Sequence, residues 1–150
     1  MRPVCVSVVG LLAALAAGCG GAPDPTTQIR ELLTGAEHAA EQRDTDYFRD
    51  LLGTAYRDAR GNDRDEMLRL IRGYFLTHQS VEVVSHIDSV ELQGRDTARA
   101  IIHAGLIGRR AGESLLGGTE GDLYRLELEL VAADGTWHII GASWDAPTGD

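Results

Sequence analysis

The chain has 150 residues, which is enough for one domain and no more. Its 23 acidic and 14 basic residues give a formal net charge of −9. Nucleic-acid binding requires a basic surface, so nucleic acid is not an expected partner. The apolar fraction of 43% is that of an ordinary globular domain.

The first 18 residues have the pattern of a secretory signal peptide. Arg2 gives a positive start, and residues 4–17 are almost wholly apolar. A membrane-spanning helix needs roughly 20 such residues, whereas a signal peptide needs about 7–15 followed by small residues. Glycine and proline follow at residues 20–25 and would break a helix. We therefore expect residues 1–18 to be removed from the mature protein.

The end of this segment, Leu15 to Cys19, reads LAAGC and resembles a bacterial lipobox. The resemblance implies cleavage between Gly18 and Cys19 and acylation of the Cys19 thiol, so that acyl chains attach the protein to a membrane. Ala16 stands where leucine is usual. An ordinary signal peptide with an incidental cysteine is the alternative. Against it, Cys5 leaves with the signal, and a lone exported thiol is a liability unless it is modified.

The residue after Cys19 suggests where the protein lies in the cell envelope. It is Gly20, and not the aspartate that retains lipoproteins at the inner membrane in many diderm bacteria. The resemblance therefore implies that the protein is attached to the periplasmic face of the outer membrane. In a monoderm host the localisation would differ. Residues 19–26 are predicted to be a flexible tether.

Two helices are predicted directly after the tether. Thr26 or Thr27 can cap the first helix, and Asp44 or Thr45 can begin a shorter second one. The apolar positions of the first helix recur at helical spacing and are Ile29, Leu32, Leu33, Ala36 and Ala40.

The hydrophobic period changes after a third helix. Asp63 and Glu66 have the spacing of a capping box and open that helix. From Ser80 onward apolar residues alternate with polar ones, which is typical of a half-buried strand. The phase of the alternation slips near Asp88-Ser89 and predicts a β-bulge there.

Three further strands complete the predicted sheet. The inner face of the first is Ala98, Ala100, Ile102 and Ala104, and that of the second is Tyr124, Leu126, Leu128 and Leu130. The last strand is predicted at residues 137–144. Three helices followed by such a meander predict an α+β fold, with three N-terminal helices packed on a curved four-stranded antiparallel sheet. The domain is expected to span residues 27–146, with a tail at 147–150.

Three stretches resemble the nuclear transport factor 2-like superfamily, a cystatin-like α+β fold, and in particular its bacterial lipoprotein members of unknown function. They are ADGTWHIIGASW, GRDTARAIIHAGL and YRDARGNDRDEMLRLIRGYF. The resemblance covers nearly all of the mature chain and implies the fold alone, because this fold carries isomerases, dehydratases, cyclases, binding modules and assembly factors. Enzymes of this fold carry acid, base or tyrosine groups on the inner sheet face.

The predicted inner face holds neither a carboxylate nor a histidine, and we assign no catalytic residue. Its polar candidates are Ser85 and Tyr124, with Tyr47 and Tyr74 contributed by the helices; these four are predicted to line a pocket. No metal or cofactor is expected, because zinc-ligand motifs and phosphate-binding loops are missing from the sequence.

The outer face of the sheet is predicted to be charged. His86 and His103 fall there by alternation, beside Arg99, Glu127 and Glu129. A solvated charge ladder explains them, and a metal site or a pH switch is the alternative. The same face also holds Ile101 and Ile107 among these charges, whereas a stable homodimer interface has an apolar core with little charge, so we expect a monomer or a weak homodimer.

Two functions follow from these observations. The first is a lipid-anchored, non-catalytic module that binds a protein or a small apolar ligand. The second is a small cavity enzyme, of isomerase or dehydratase type, that acts on an apolar substrate through Tyr124 and Tyr47.

Overall fold

The computed structural model of the protein describes residues 21–110 and 123–145. Gly18 and Cys19, predicted for cleavage and acylation, lie outside this range, as does the tail 147–150. Within the described residues, no helix has both the length and the apolar character needed to cross a membrane.

The first helix, α1, spans Pro25–Gln42 and is capped by Asp24. The Asp24 carboxylate accepts hydrogen bonds from the backbone N–H groups of Thr26 and Thr27 at 3.0 and 3.2 Å. The expectation that a threonine caps this helix is therefore wrong. Pro25 explains the difference, because proline favours the first helical position and moves the cap to the residue before it.

Two shorter helices follow, and a strand separates them. Helix α2 spans Thr45–Leu51, strand β1 spans Leu52–Asp58, and helix α3 spans Arg64–Thr77. The capping box of Asp63 and Glu66 at the start of α3 is confirmed, since each side chain accepts from the other residue's backbone N–H at 2.9 Å. Strand β1 was not predicted.

The sheet has five strands in the order β1-β5-β4-β3-β2. Strands β2 to β5 span His78–Leu92, Thr97–Arg110, Leu123–Ala133 and Thr136–Asp145. They pair antiparallel, whereas β1 pairs parallel to β5. The α+β class is confirmed, but the sheet is mixed and five-stranded, because β1 returns between α2 and α3 to cover the edge of β5. The predicted bulge is confirmed by a register shift between Ile87 and Ser89.

Helix α1 runs antiparallel to β2. Arg43 at its C-terminal end donates to the carbonyl oxygen of His78 at 3.3 Å, and Ser85, further along β2, donates to the carboxylate of Glu37. The N-terminal end of α1 therefore lies toward the Leu92 end of β2.

Candidate functional site

One end of the concave sheet face is a closed core. Ala98 of β3 pairs with Leu130 of β4, and Ala100 pairs with Leu128. With Trp137 and Ile139 of β5 these residues form the closed half of the concave face, and each is at most 6% exposed. Ala98 and Ala100 are small, so the larger side chains of β4 and β5 supply most of the volume of this part of the core.

The other end of the same face is only half-buried. Ile87, Ile102, Leu126 and Trp144 lie in one row across β2, β3, β4 and β5. The next row holds Ser85, Ala104 and Tyr124. We call these seven residues the open half; six are partly exposed and Ser85 is exposed. Ligand sites are lined mostly by apolar side chains with a few polar groups, so this composition makes the open half a candidate ligand surface.

The open half contains two of the four predicted pocket residues. Ser85 and Tyr124 both pair with Ala104, so they lie on the same face two strand spacings apart, about 9–10 Å. The Ser85 hydroxyl donates to Glu37 of α1. The row thus places two hydroxyl groups on either side of a small alanine.

The other two predicted residues lie elsewhere. The Tyr47 hydroxyl donates to the carbonyl oxygen of Leu32 at 2.8 Å, and Gly35 leaves room for the Tyr47 ring, since a Cβ there would overlap it. Tyr74 stacks on His78 with ring centroids 4.0 Å apart. Burial raises the pKa of both tyrosines. Both therefore serve contacts between elements, and the structure does not bring them to the open half.

A buried carboxylate on the concave face was missed by the sequence reading. Asp58 of β1 pairs with Ala142 of β5, which faces the core, and it is 6% exposed. Its oxygens accept from the backbone N–H groups of Arg60 and Asn62 and from the Asn62 amide, each at 2.9 Å. The carboxylate therefore holds the loop 59–62. Tyr56 lies two residues earlier in the chain, so strand alternation from this aromatic residue could have predicted that Asp58 faces the core.

Tyr56 lies two residues before Asp58 on the same strand and is 4% exposed. Burial raises the pKa of its hydroxyl, and the nearby charge of Asp58 raises it further. The hydroxyl is therefore protonated at neutral pH. The loop that Asp58 holds also places the Arg60 guanidinium 4.8 Å from the centre of a Trp144 ring, at the rim of the open half.

The histidines are spread over the molecule. His86 and His103 lie directly opposite each other on the outer face, as predicted, and His103 pairs with Arg125. His138 contacts the carbonyl oxygen of Asp50 through its Nδ1 at 2.9 Å. In residues 21–110 and 123–145 no three His, Cys, Asp or Glu side chains are grouped so that they could hold a metal ion.

Two open clefts lie away from the open half. The first, of about 420 Å³, lies between the ends of α1 and α3 and is lined by Gln42, Arg43, Thr45, Arg72, Phe75 and Leu76. The second, of about 380 Å³, runs along β1 and the start of α3 and includes Tyr56, Asp63 and Arg64 among its lining residues. None of the four predicted pocket residues lines either cleft.

Comparison with known proteins supports the fold. No protein-family model matches the chain, and no curated protein matches it. Among solved structures, a scytalone dehydratase-like protein from Novosphingobium aromaticivorans is 12% identical with a TM-score of 0.70. The match covers 81% of this chain and 83% of that one.

Two further structures agree. A ketosteroid isomerase-like protein from Erwinia carotovora is 13% identical, with a TM-score of 0.64 and coverage of 84% and 98%. A nuclear transport factor 2-like superfamily protein from Salmonella enterica is 14% identical, with a TM-score of 0.66 and coverage of 83% and 92%. The chain therefore has the cystatin-like α+β fold of the nuclear transport factor 2-like superfamily, as its sequence predicted.

Proposed function

We propose that the protein is a lipid-anchored lipoprotein of the cell envelope whose domain binds a small apolar ligand, without catalysis, at the open half. The lipobox-like sequence that ends at Cys19 supports the anchor. Two or three acyl chains on one residue hold a protein at a bilayer far more firmly than one chain does. Gly20 supports the periplasmic face of the outer membrane in a diderm host.

The observation that carries the binding function is the half-buried state of the open half. Its rows offer four large apolar side chains, Ile87, Ile102, Leu126 and Trp144. Covering partly exposed apolar area with an apolar ligand is favourable by roughly 25 cal/mol per Å². The Ser85 hydroxyl donates to Glu37 and keeps lone pairs that can accept a hydrogen bond from one polar group of such a ligand.

The engagement of Asp58 supports a binding module over an enzyme. A general acid or base must be able to reach the substrate with its titrating group. Both Asp58 oxygens instead accept hydrogen bonds from the loop 59–62. The Tyr47 hydroxyl is likewise engaged, because it donates to the carbonyl oxygen of Leu32. An isomerase or dehydratase acting on an apolar substrate remains the alternative, and Tyr124 is the residue through which it would act.

Native mass spectrometry of the detergent-released full chain tests the binding function. We expect a non-covalent apolar molecule to accompany the wild-type protein. Ala104→Trp should abolish it, because the indole fills the row between Ser85 and Tyr124. Ala133→Trp is the matched control, since Ala133 is exposed near the β4–β5 turn. A protein that carries no ligand, or one that keeps its ligand in Ala104→Trp, contradicts the proposal.

The anchor is tested separately by labelling cells with palmitate. Wild-type protein should incorporate the label, and Cys19→Ser should not, because the thiol is the acceptor. Cys5→Ser is the control, since residue 5 lies in the segment that is removed. Equal labelling of wild type and Cys19→Ser would contradict the proposed anchor and would not affect the ligand result.

A further inference from the structure

The loop that follows β1 brings a guanidinium group to one end of the open half. Arg60 lies in this loop, and its guanidinium carbon is 4.8 Å from the centre of a Trp144 ring. Trp144 is the β5 member of the row that also contains Leu126, Ile102 and Ile87. A cation this close to an indole ring is attracted to its π face. The contact therefore places the Arg60 guanidinium at the β5 end of the row.

The hydrogen-bond donors of this guanidinium are available to a ligand. Within residues 21–110 and 123–145, the Arg60 side chain forms no ion pair and no hydrogen bond, and only its backbone N–H is used, by Asp58. A guanidinium group carries five N–H donors in a fixed planar arrangement. That arrangement matches the two oxygens of a carboxylate, which it binds through paired hydrogen bonds.

The backbone that carries Arg60 is fixed before any ligand arrives. The Asp58 carboxylate accepts from the backbone N–H groups of Arg60 and Asn62, each at 2.9 Å. The Asp58 N–H donates to the carbonyl oxygen of Asn62 at 3.0 Å, and the Ala59 N–H donates to that of Ala142 in β5 at 2.9 Å. Because the loop is tied to itself and to the sheet, little backbone entropy is lost when a ligand binds.

The negative charge of Asp58 is close to this loop and must be weighed. Residues 57–62 carry two guanidinium groups, Arg57 and Arg60, against this one carboxylate. Asp58 is 6% exposed, and its oxygens already accept three hydrogen bonds from the loop. An anionic group bound to the Arg60 guanidinium therefore lies nearer to that cation than to Asp58, and the attraction exceeds the repulsion. Since one guanidinium makes the contact, a group with a single negative charge fits best.

The opposite end of the open half carries a negative charge. The carboxylate of Glu37, a partly exposed residue of α1, accepts a hydrogen bond from Ser85 of β2. Ser85 and Trp144 are separated across the sheet by three strand spacings, or about 14 Å. An anionic group is repelled at the Glu37 end and attracted at the Arg60 end. The two charges therefore select one direction for an elongated ligand with one anionic group.

We propose that the ligand of the open half is an apolar molecule with one carboxylate group, which Arg60 binds at the Trp144 end. The apolar part of the ligand lies on Leu126, Ile102 and Ile87. This inference rests on the proposed function and adds to it the chemical class of the ligand and the residue that determines specificity.

Methyl NMR of the detergent-released full chain tests the proposal with two indoles that share one apolar ring. Indole-3-acetate carries a carboxylate, and indole-3-acetamide is its neutral counterpart. The shifts of the Ile102 and Leu126 methyl groups give the affinity of each probe. We expect indole-3-acetate to bind about three- to ten-fold more tightly, the range for an arginine–carboxylate pair at a partly exposed site.

Two variants of equal charge change assign this preference to a residue. Arg60→Gln should remove the preference for indole-3-acetate and change the affinity for indole-3-acetamide by less than two-fold, which also shows that the variant is folded. Arg95→Gln is the matched control, because Arg95 is exposed in the turn between β2 and β3, at the closed end of the sheet. It should keep the preference of the wild-type protein.

The possible failures of this inference and of the proposed function differ. Equal affinities of the two probes in the wild-type protein, or a preference that survives Arg60→Gln, would overturn the inference and leave apolar binding at the open half intact. Tighter binding of tryptamine, which carries an ammonium group on the same ring, would overturn it in the same way. No saturable shift with any of the three indoles would contradict the proposed function, and this inference with it.

Discussion

The closed and open halves of the concave face are built from neighbouring same-face residues of the same strands, yet they differ in burial. Leu128 is 4% exposed, whereas Leu126, two residues earlier on β4, is half-buried. Both face the same side of the sheet. Apolar alternation therefore fixes which face a residue takes, and the cover above the sheet decides whether that residue becomes core or remains available to a ligand.

The largest expected effect is in the closed half. Leu128→Ala should lower the free energy of unfolding by roughly 2–5 kcal/mol, because it leaves a cavity in close-packed surroundings. Leu126→Ala in the open half should cost clearly less, since solvent already reaches that side chain. Urea denaturation measures both. Equal losses, or a loss below about 0.5 kcal/mol for Leu128→Ala, would break the distinction between the two halves.

The next effect concerns the loop at the rim of the open half. Asp58→Ala removes an acceptor used by two backbone N–H groups and one side-chain amide. Leaving such donors unsatisfied costs about 1–3 kcal/mol. We expect a corresponding loss of stability by urea denaturation, with faster amide hydrogen exchange at residues 59–62. Asp50→Ala, on an exposed residue of α2, is the control. An unchanged stability would mean that Asp58 is free for another role.

A smaller effect should appear at alkaline pH. Burial and the charge of Asp58 raise the pKa of Tyr56 above its ordinary value of 10.0. The folded protein then holds this proton more tightly than the unfolded chain does. The resulting stability is fully present below about pH 10 and is lost as the pH rises toward the raised pKa. Unfolding followed from pH 9 to pH 11 should show this loss, and Tyr56→Phe should reduce it. The same pH dependence in Tyr56→Phe would contradict the assignment.

The smallest effect is on the outer face. Arg99 pairs with Glu127, and Arg125 lies 3.9 Å from the same carboxylate. Because these charges are at least partly exposed and of mixed sign, any dimer through this face should be weak. We expect sedimentation to show a monomer at about 0.5 M salt, where surface charges are strongly screened. A dimer that persists there would show that apolar contacts dominate this face.

Local sequence patterns predicted most of the fold. Patterns within a few residues predicted three features. They are the capping box of Asp63 and Glu66, the bulge at Asp88-Ser89, and the position of Ser85 and Tyr124 on the same face of the sheet. Strand β1 could not be read in this way, because residues 53–55 are small or polar and no turn separates β1 from α2.

Local patterns also failed to predict part of the candidate site, because that part depends on contacts between distant residues. Asp58 reaches the concave face only through parallel pairing with β5, more than 80 positions later in the chain. The half-exposed state of the open half is likewise a property of how the helices sit on the sheet. Alternation placed Leu126 and Leu128 on one face and had no means of separating them.

Methyl NMR during titration with indole tests the central distinction most directly. Indole is an apolar ring with a single N–H, which suits a surface bordered by Ser85 and Tyr124. We expect saturable shifts of the Ile87, Ile102 and Leu126 methyl groups, with little change at Leu128, Leu130 and Ile139. Equal shifts in both halves, or shifts confined to the closed half, would contradict the proposal that the open half is the ligand surface.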